Sequence, residues 1–91
     1  MNHQNQDSYQ ASNNTIKLIS LMRAKEREIA EVVGREGICV TPALAERLVV
    51  SPKTIENYKN SIKQKARTAF GRQLSWAELI RQFTLYYNKL S

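Results

Sequence analysis

The segment 51–70, SPKTIENYKNSIKQKARTAF, constrains the fold more than any other part of the chain. Ser51 and Pro52 predict a helix start, because a serine at the N-cap accepts from a free amide and proline is well tolerated at the first helical position. Apolar residues then follow at helical spacing, at Ile55, Ile62, Ala66 and Phe70. This pattern predicts a helix with one narrow buried edge and a wide polar surface.

The polar surface of this predicted helix combines carboxamides with cations. Its members are Lys53, Glu56, Asn57, Lys59, Asn60, Lys63, Gln64 and Arg67. Amides pair with adenine edges in the DNA major groove, and Lys or Arg neutralises phosphate. We therefore interpret the helix as a DNA recognition helix.

The charge distribution favours a polyanionic partner. The net charge is +6, and residues 1–50 contribute six basic and six acidic residues to it. The second part of the chain holds eight basic residues against Glu56 and Glu78 alone. A solvated helix face is the alternative explanation of a basic run. Because the whole excess lies in the second half, we expect double-stranded DNA as the partner.

Length and composition predict one small domain. A chain of 91 residues with 42% apolar residues, three Gly and two Pro fits a compact all-α fold of four to five helices. No apolar run approaches the roughly 20 residues that span a bilayer, and the first residues do not resemble a signal peptide. We expect no membrane contact and a cytoplasmic, nucleoid-associated location.

The sequence offers no catalytic or metal-binding constellation. Residues 1–14 are polar and predict a flexible arm, which contains His3, the single histidine. Without an ordered histidine, no general base activates a serine or threonine. Cys39 has no second cysteine and no histidine beside it, which favours a small, half-buried apolar role. We expect no enzyme, no metal and no cofactor.

The domain proper is predicted over residues 15–91. Residues 15–36 show helical periodicity, as one helix or as two joined near Ser20, a candidate N-cap. The GREG sequence at 34–37 reads as the helix stop. Thr41 and Pro42 then open a helix of about two turns that ends near residue 49. A short helix, a tight turn and the polar helix predict a helix-turn-helix.

A last helix over residues 75–90 is predicted from the capping box of Ser75 and Glu78. Its apolar surface is wider than one stripe, which packing inside the domain explains or which forms a dimer seam. The dimerisation candidates are Trp76, Ile80, Phe83, Tyr86 and Tyr87.

The segment ALAERLVVSPKTIENYKNSIKQK resembles the helix-turn-helix of LuxR-type (GerE or NarL-type) transcription factors, with the pattern I-A-x-x-L-x-I-S-x-x-T-V-x-x-H-x-x-x-I-x-x-K-L. The corresponding residues are Leu44, Ala45, Leu48, Val50, Ser51, Thr54, Ile55, Tyr58, Ile62 and Lys65. Upstream, KEREI at 25–29 is similar to the family's R-E-x-E-V. The chain departs from the family at Arg23, Tyr58 and Ala66. The longer spacing to Glu78 predicts a recognition helix extended by one turn, to Phe70.

The resemblance implies base contacts from Glu56, Asn57 and Asn60. It implies contacts nearer the DNA backbone from Lys53, Thr54, Tyr58, Lys59 and Lys63, and Arg67 of the same basic cluster completes the predicted DNA-binding set. The resulting hypothesis is a stand-alone, sequence-specific transcriptional regulator. The alternative is a small helical adaptor or anti-activator that binds a protein through its aromatic last helix. RNA binding is disfavoured because no aromatic platform interleaves with the cations.

Overall fold

The computed structural model of the protein describes residues 12–90, which form five helices and no strand. The helices are α1 (Asn13–Leu21), α2 (Ala24–Glu36), α3 (Thr41–Leu48), α4 (Pro52–Phe70) and α5 (Trp76–Leu90). The predicted all-α fold is confirmed. Most of the predicted arm, residues 1–11, lies outside the described residues.

The first helix begins earlier than predicted. Ser12 is its N-cap, and its hydroxyl accepts from the Thr15 amide at 3.1 Å. The helix therefore includes residues 13 and 14, which the sequence pattern placed in the arm. Thr15 is buried, and its hydroxyl donates to Gln82 Oε1 of α5 at 2.7 Å, so the start of α1 is fixed to the last helix.

The break between α1 and α2 lies at Met22 and Arg23, not near Ser20. Both residues have extended backbones. Glu26 Oε1 accepts from the Arg23 amide at 2.8 Å, which caps the new helix. Ser20 instead lies inside α1, where its hydroxyl donates to the Lys17 carbonyl. The prediction of Ser20 as an N-cap is wrong, because the side chain of Glu26 supplies the cap.

The two glycines of the GREG sequence have different roles. Gly37 ends α2 in the left-handed region, with φ of 72°. Gly34 lies inside α2, where an added Cβ would approach the Phe83 carbonyl oxygen to 2.5 Å. Only the absence of a side chain allows α2 and α5 to cross at this distance. The stop signal is therefore Gly37, and Gly34 is a packing residue.

The helix-turn-helix forms as predicted, with one shift at its start. Val40 is the N-cap of α3, and Thr41 is the first helical residue. The turn covers residues 49–51, and Val49 adopts a left-handed backbone with φ of 58°. Ser51 then caps α4, accepting from the Thr54 amide at 3.1 Å, with Pro52 in the first turn.

The predicted ends of α4 and α5 are confirmed. The long helix runs to Phe70 and stops at Gly71, which has φ of 75°. The Ser75 and Glu78 capping box forms, with Glu78 Oε1 accepting from the Ser75 amide at 2.9 Å. The buried edge of α4 ends at Ala69 rather than at Phe70, which is only partly buried.

A single core holds the five helices together. The most extensive contact joins α2 to α5, the next joins α1 to α4, and α3 lies on α4. Fully buried side chains come from every helix, among them Leu18, Ile29, Leu44, Ile55, Ile62, Leu79 and Phe83. Each such side chain stabilises the fold by roughly 1.5–3 kcal/mol. The long polar helix is therefore supported from beneath by α1 and α3.

Replacement of Gly34 tests the close crossing of α2 and α5. Alanine would gain about 1 kcal/mol of helix propensity, but its Cβ would push against backbone atoms of Phe83. We expect Gly34→Ala to lower the free energy of unfolding by about 2 kcal/mol, as overpacking does. Urea unfolding followed by circular dichroism measures this change. Gly37→Ala, which meets no atom within 4 Å, should cost only about 1 kcal/mol, and a reversed order would contradict the crossing.

The left-handed Val49 predicts a stabilising substitution. A β-branched residue is unfavourable in this region, whereas asparagine adopts it readily. The Val49 side chain is 88% exposed, so its removal costs no packing. We expect Val49→Asn to raise the free energy of unfolding by about 1 kcal/mol, measured by urea unfolding. Val49→Thr keeps the branch and replaces one exposed methyl by a hydroxyl, so it should stay within about 0.5 kcal/mol of the parent chain.

Candidate nucleic-acid interface

The polar side chains of α4 fall into two groups. One group makes contacts inside the domain, on the two flanks of the helix. The other points outward without such contacts. The sequence does not distinguish them, since both groups contain cations among other polar side chains.

A buried carboxylate holds the first flank of α4. Glu26, on α2, has only 2% of its surface exposed. Its carboxylate accepts from the Lys65 ammonium at 2.5 Å and from the Ser61 hydroxyl, both on α4. Burial raises the pKa of Glu26, but the Lys65, Ser61 and Arg23 hydrogen bonds to the ionised form together lower it below its ordinary value of 4.5. Glu26 is therefore an ionised anchor for the long helix.

Lys59 holds the second flank. Its side chain is 14% exposed, its ammonium lies 4.8 Å from the ring centre of Trp76, and it donates to Thr41 Oγ1 at 3.2 Å. Trp76 in turn donates from Nε1 to the Cys39 carbonyl at 2.9 Å. These contacts join α4 to the start of α3 and to α5. Lys59 is thus a structural residue, although the resemblance implies a DNA contact for it.

Glu56 belongs to the same flank. It accepts from the Thr41 hydroxyl and lies 3.6 Å from the Lys59 ammonium. The Thr41 hydrogen bond and the positive charge of Lys59 lower the pKa of Glu56 below its ordinary value. Since the carboxylate is already bonded within the domain, it is less available for the base contact that the resemblance implies.

The outward group forms a continuous row, which we call the open stripe. Its members are Lys53, Asn57, Asn60, Gln64 and Arg67, and all are exposed. At 3.6 residues per turn they fall within an arc of about 80° on the helix surface. None of their side chains makes a hydrogen bond or an ion pair with the rest of residues 12–90. The open stripe therefore has free donors and acceptors along its whole length.

The open stripe carries positive charge and no acid. Lys53 lies in the first turn of α4, where the helix dipole disfavours a cation and where no acidic residue compensates it. Lys63 lies beside the stripe, half exposed, and its charge reaches Glu56. An unpaired cation at the positive end of a helix favours an anion from outside the domain.

The predicted DNA-binding residues thus divide between the two groups. Lys53, Asn57, Asn60 and Arg67 lie on the open stripe, with Lys63 at its edge. Thr54 belongs to the cap of α4, where its hydroxyl lies 2.9 Å from that of Ser51. Tyr58 is half buried in the wall of a small cavity beside Leu48 and Val50. Gln64 was missed as a site residue, although it follows Asn57 and Asn60 at spacings of seven and four.

The dimerisation candidates on α5 also divide. Phe83 is fully buried and Tyr87 is 7% exposed, so both belong to the core of the domain. Burial raises the pKa of Tyr87 to about 12. Trp76, Ile80 and Tyr86 are partly buried against that core. Any contact of α5 with another chain would therefore depend on the partly exposed residues rather than on Phe83 or Tyr87.

Other candidate sites of the sequence do not converge in the described part of the chain. His3 lies outside it. Cys39 is half buried in the connector before α3, with its Sγ 3.4 Å from the Gly37 carbonyl. No group of three or more His, Cys, Asp or Glu side chains within residues 12–90 is placed to hold a metal ion. Over the same range, no helix combines the length and the apolar character needed to cross a bilayer.

Compared with protein-family models, with curated proteins and with solved structures, the chain matches none of them. The LuxR-type resemblance therefore stays a prediction from the residues of segments 25–29 and 43–65. A functional interpretation therefore depends on the geometry of α3, the turn at 49–51 and α4.

The Glu26 anchor predicts a pH-dependent stability. Because the folded pKa lies below the ordinary value of 4.5, the stabilisation is present above that pH and is lost as the pH falls through the lower folded pKa. We expect Glu26→Gln to lower the free energy of unfolding at pH 7 by about 3 kcal/mol, since it leaves Lys65 without its partner. Below pH 4.5, the stability of the variant should also decline less steeply than that of the parent chain. Urea unfolding at several pH values measures both effects.

Glu28→Gln is the matched control for this prediction. Glu28 is on the same helix, but its side chain is 51% exposed and pairs only with the exposed Lys25 at 3.6 Å. We expect the free energy of unfolding at pH 7 to change by less than about 0.5 kcal/mol. The decline of stability below pH 4.5 should be the same as in the parent chain. Equal effects of the two substitutions would show that Glu26 is not the anchor.

Proposed function

We propose that the protein is a sequence-specific DNA-binding transcriptional regulator that inserts α4 into the major groove of double-stranded DNA. The observation that carries this proposal is the open stripe of α4. Its amides and cations are exposed, unpaired within residues 12–90 and aligned on one face of the helix. A protein of this function acts at the nucleoid, in the cytoplasm.

The position of the open stripe supports this function. In a helix-turn-helix, the second helix lies in the major groove and presents its outer face to base edges, while the first helix crosses the DNA backbone. Here α3 and the turn at 49–51 precede α4, and the buried edge of α4 faces the core. The open stripe is therefore on the face that such docking presents to DNA.

The character of the outer face also favours DNA over a protein partner. Interfaces between proteins are depleted in lysine, and their centres are usually apolar or aromatic. The open stripe instead holds two cations, three amides and no apolar residue. Affinity for DNA would come mainly from the cations and sequence preference from the amides. The similarity to LuxR-type helix-turn-helix segments agrees with this division.

A salt titration tests the proposal. Binding of a fluorescent duplex, measured by anisotropy, should weaken as salt rises, because bound phosphates release counterions. Lys53→Ala should reduce the slope of log affinity against log salt by about one, since one phosphate contact is lost. The exposed Lys53 side chain makes no hydrogen bond or ion pair within residues 12–90, so the fold should be unaffected.

Lys25→Ala provides the control, because it removes the same charge from an exposed site on α2. We expect its slope to equal that of the parent chain. If both variants reduced the slope equally, the attraction of DNA would come from the overall positive charge of the domain and not from α4 in particular. If the parent chain showed no salt-dependent binding of duplex DNA, the proposed function would be wrong and the protein-binding adaptor would be favoured.

A further inference from the structure

Gln64 is the last amide of the open stripe and was not among the predicted DNA-binding residues. Its side chain is exposed and makes no hydrogen bond within residues 12–90. Only its backbone carbonyl accepts from Thr68 Oγ1, at 3.5 Å. It lies one turn beyond Asn60 and two turns beyond Asn57. At about 100° per residue, it projects between these two amides when α4 is viewed along its axis. The three carboxamides therefore share one line on the helix surface.

The order of residues along the open stripe separates amides from cations. The three amides are consecutive, with Lys53 before them and Arg67 after them. With a rise of 1.5 Å per residue, Asn57 and Gln64 are about 10 Å apart along the helix axis, and Lys53 and Arg67 about 21 Å apart. The three amides therefore form the central part of the open stripe, and one cation flanks them at each end.

The chemistry of the three central positions selects a base. Carboxamides have one acceptor and one donor group, which match the adenine N6 amino group and N7, whereas guanine is read by arginine or lysine. No cation lies among the three central positions of the open stripe. The site they read is therefore expected to be rich in adenine rather than in guanine.

The side-chain lengths fit the same arrangement. A recognition helix contacts base edges chiefly with its N-terminal residues, so later residues lie farther from the floor of the groove. Glutamine has one methylene more than asparagine. Gln64, the last of the three amides, therefore has the longer reach that its position requires.

We infer that Gln64 is a third base-reading residue, and that Asn57, Asn60 and Gln64 together select a DNA site with adenines facing α4 in the major groove. Lys53 and Arg67, at the two ends of the open stripe, bind phosphates of the DNA backbone. This inference rests on the proposed function and adds to it the base preference and the residue at the far end of the reading surface.

Selection of binding sites from a randomised duplex library tests the inference. The selection compares the parent chain with three variants. Gln64→Ala and Asn57→Ala each remove an amide of the open stripe, and Gln73→Ala is the control. Gln73 is an exposed glutamine outside α4, whose Nε2 donates to the Leu74 carbonyl, so its substitution removes an amide without touching the open stripe. The parent chain and Gln73→Ala should select the same adenine-containing site. Gln64→Ala and Asn57→Ala should each lose preference at one or two positions, and these positions should differ.

Replacement of single adenines in the selected site by 7-deazaadenine identifies the base that Gln64 reads, because this analogue lacks the N7 acceptor. At that base, the analogue should weaken binding of the parent chain roughly tenfold. It should not weaken binding of Gln64→Ala further, since the contact is already absent. The thermal unfolding of each variant is followed to confirm that the domain remains folded.

The outcomes separate this inference from the proposed function. If the parent chain binds duplex DNA but selects guanine at the read positions, or if Gln64→Ala keeps every base preference, the inference is wrong and the proposed function stands. If no duplex is enriched and binding shows no salt dependence, both are wrong.

Discussion

The buried carboxylate of Glu26 fixes the rotation of the long helix about its own axis. It lies at the start of α2, where it accepts from the Arg23 amide, and it receives the hydroxyl of Ser61 and the ammonium of Lys65 from α4. Because an ionised carboxylate is costly to bury without partners, α4 cannot turn away without a large loss of stability. This contact and the buried apolar edge of α4 together determine which face of the helix reaches solvent.

A second set of contacts secures the opposite flank of α4. Lys59 lies against Trp76 and Thr41, on the other side of the open stripe from Ser61 and Lys65. With about 100° between successive residues, the two flanks are separated by the row of exposed amides and cations. Lys59, Ser61 and Lys65 thus serve the fold, whereas the five residues of the open stripe remain outward and unpaired within residues 12–90. This division supports DNA recognition more strongly than the composition of the helix does.

Much of the fold could be predicted because helix ends are set by local interactions. Ser51 with Pro52, Gly71, and the Ser75 and Glu78 pair each act over four residues or fewer, and all lie where the sequence indicated. The errors arose where a local signal had a stronger competitor. Ser20 bonds within α1 because Glu26 caps α2 instead. Gly34 resembles a helix stop, but its role comes from Phe83, which is distant in the sequence.

By itself, the sequence determined that residues 52–70 form one amphipathic helix with cations and amides on its surface. It could not assign those side chains to the fold or to a partner. Lys59, Lys63 and Lys65 are all lysines of the same helix, and the sequence alone does not distinguish their roles. Only the tertiary structure decided this, by bringing Glu26 to Lys65 across 39 positions of the chain and Trp76 to Lys59. The reason is that caps and periodicity are local, whereas burial of a charge depends on helices that meet only after folding.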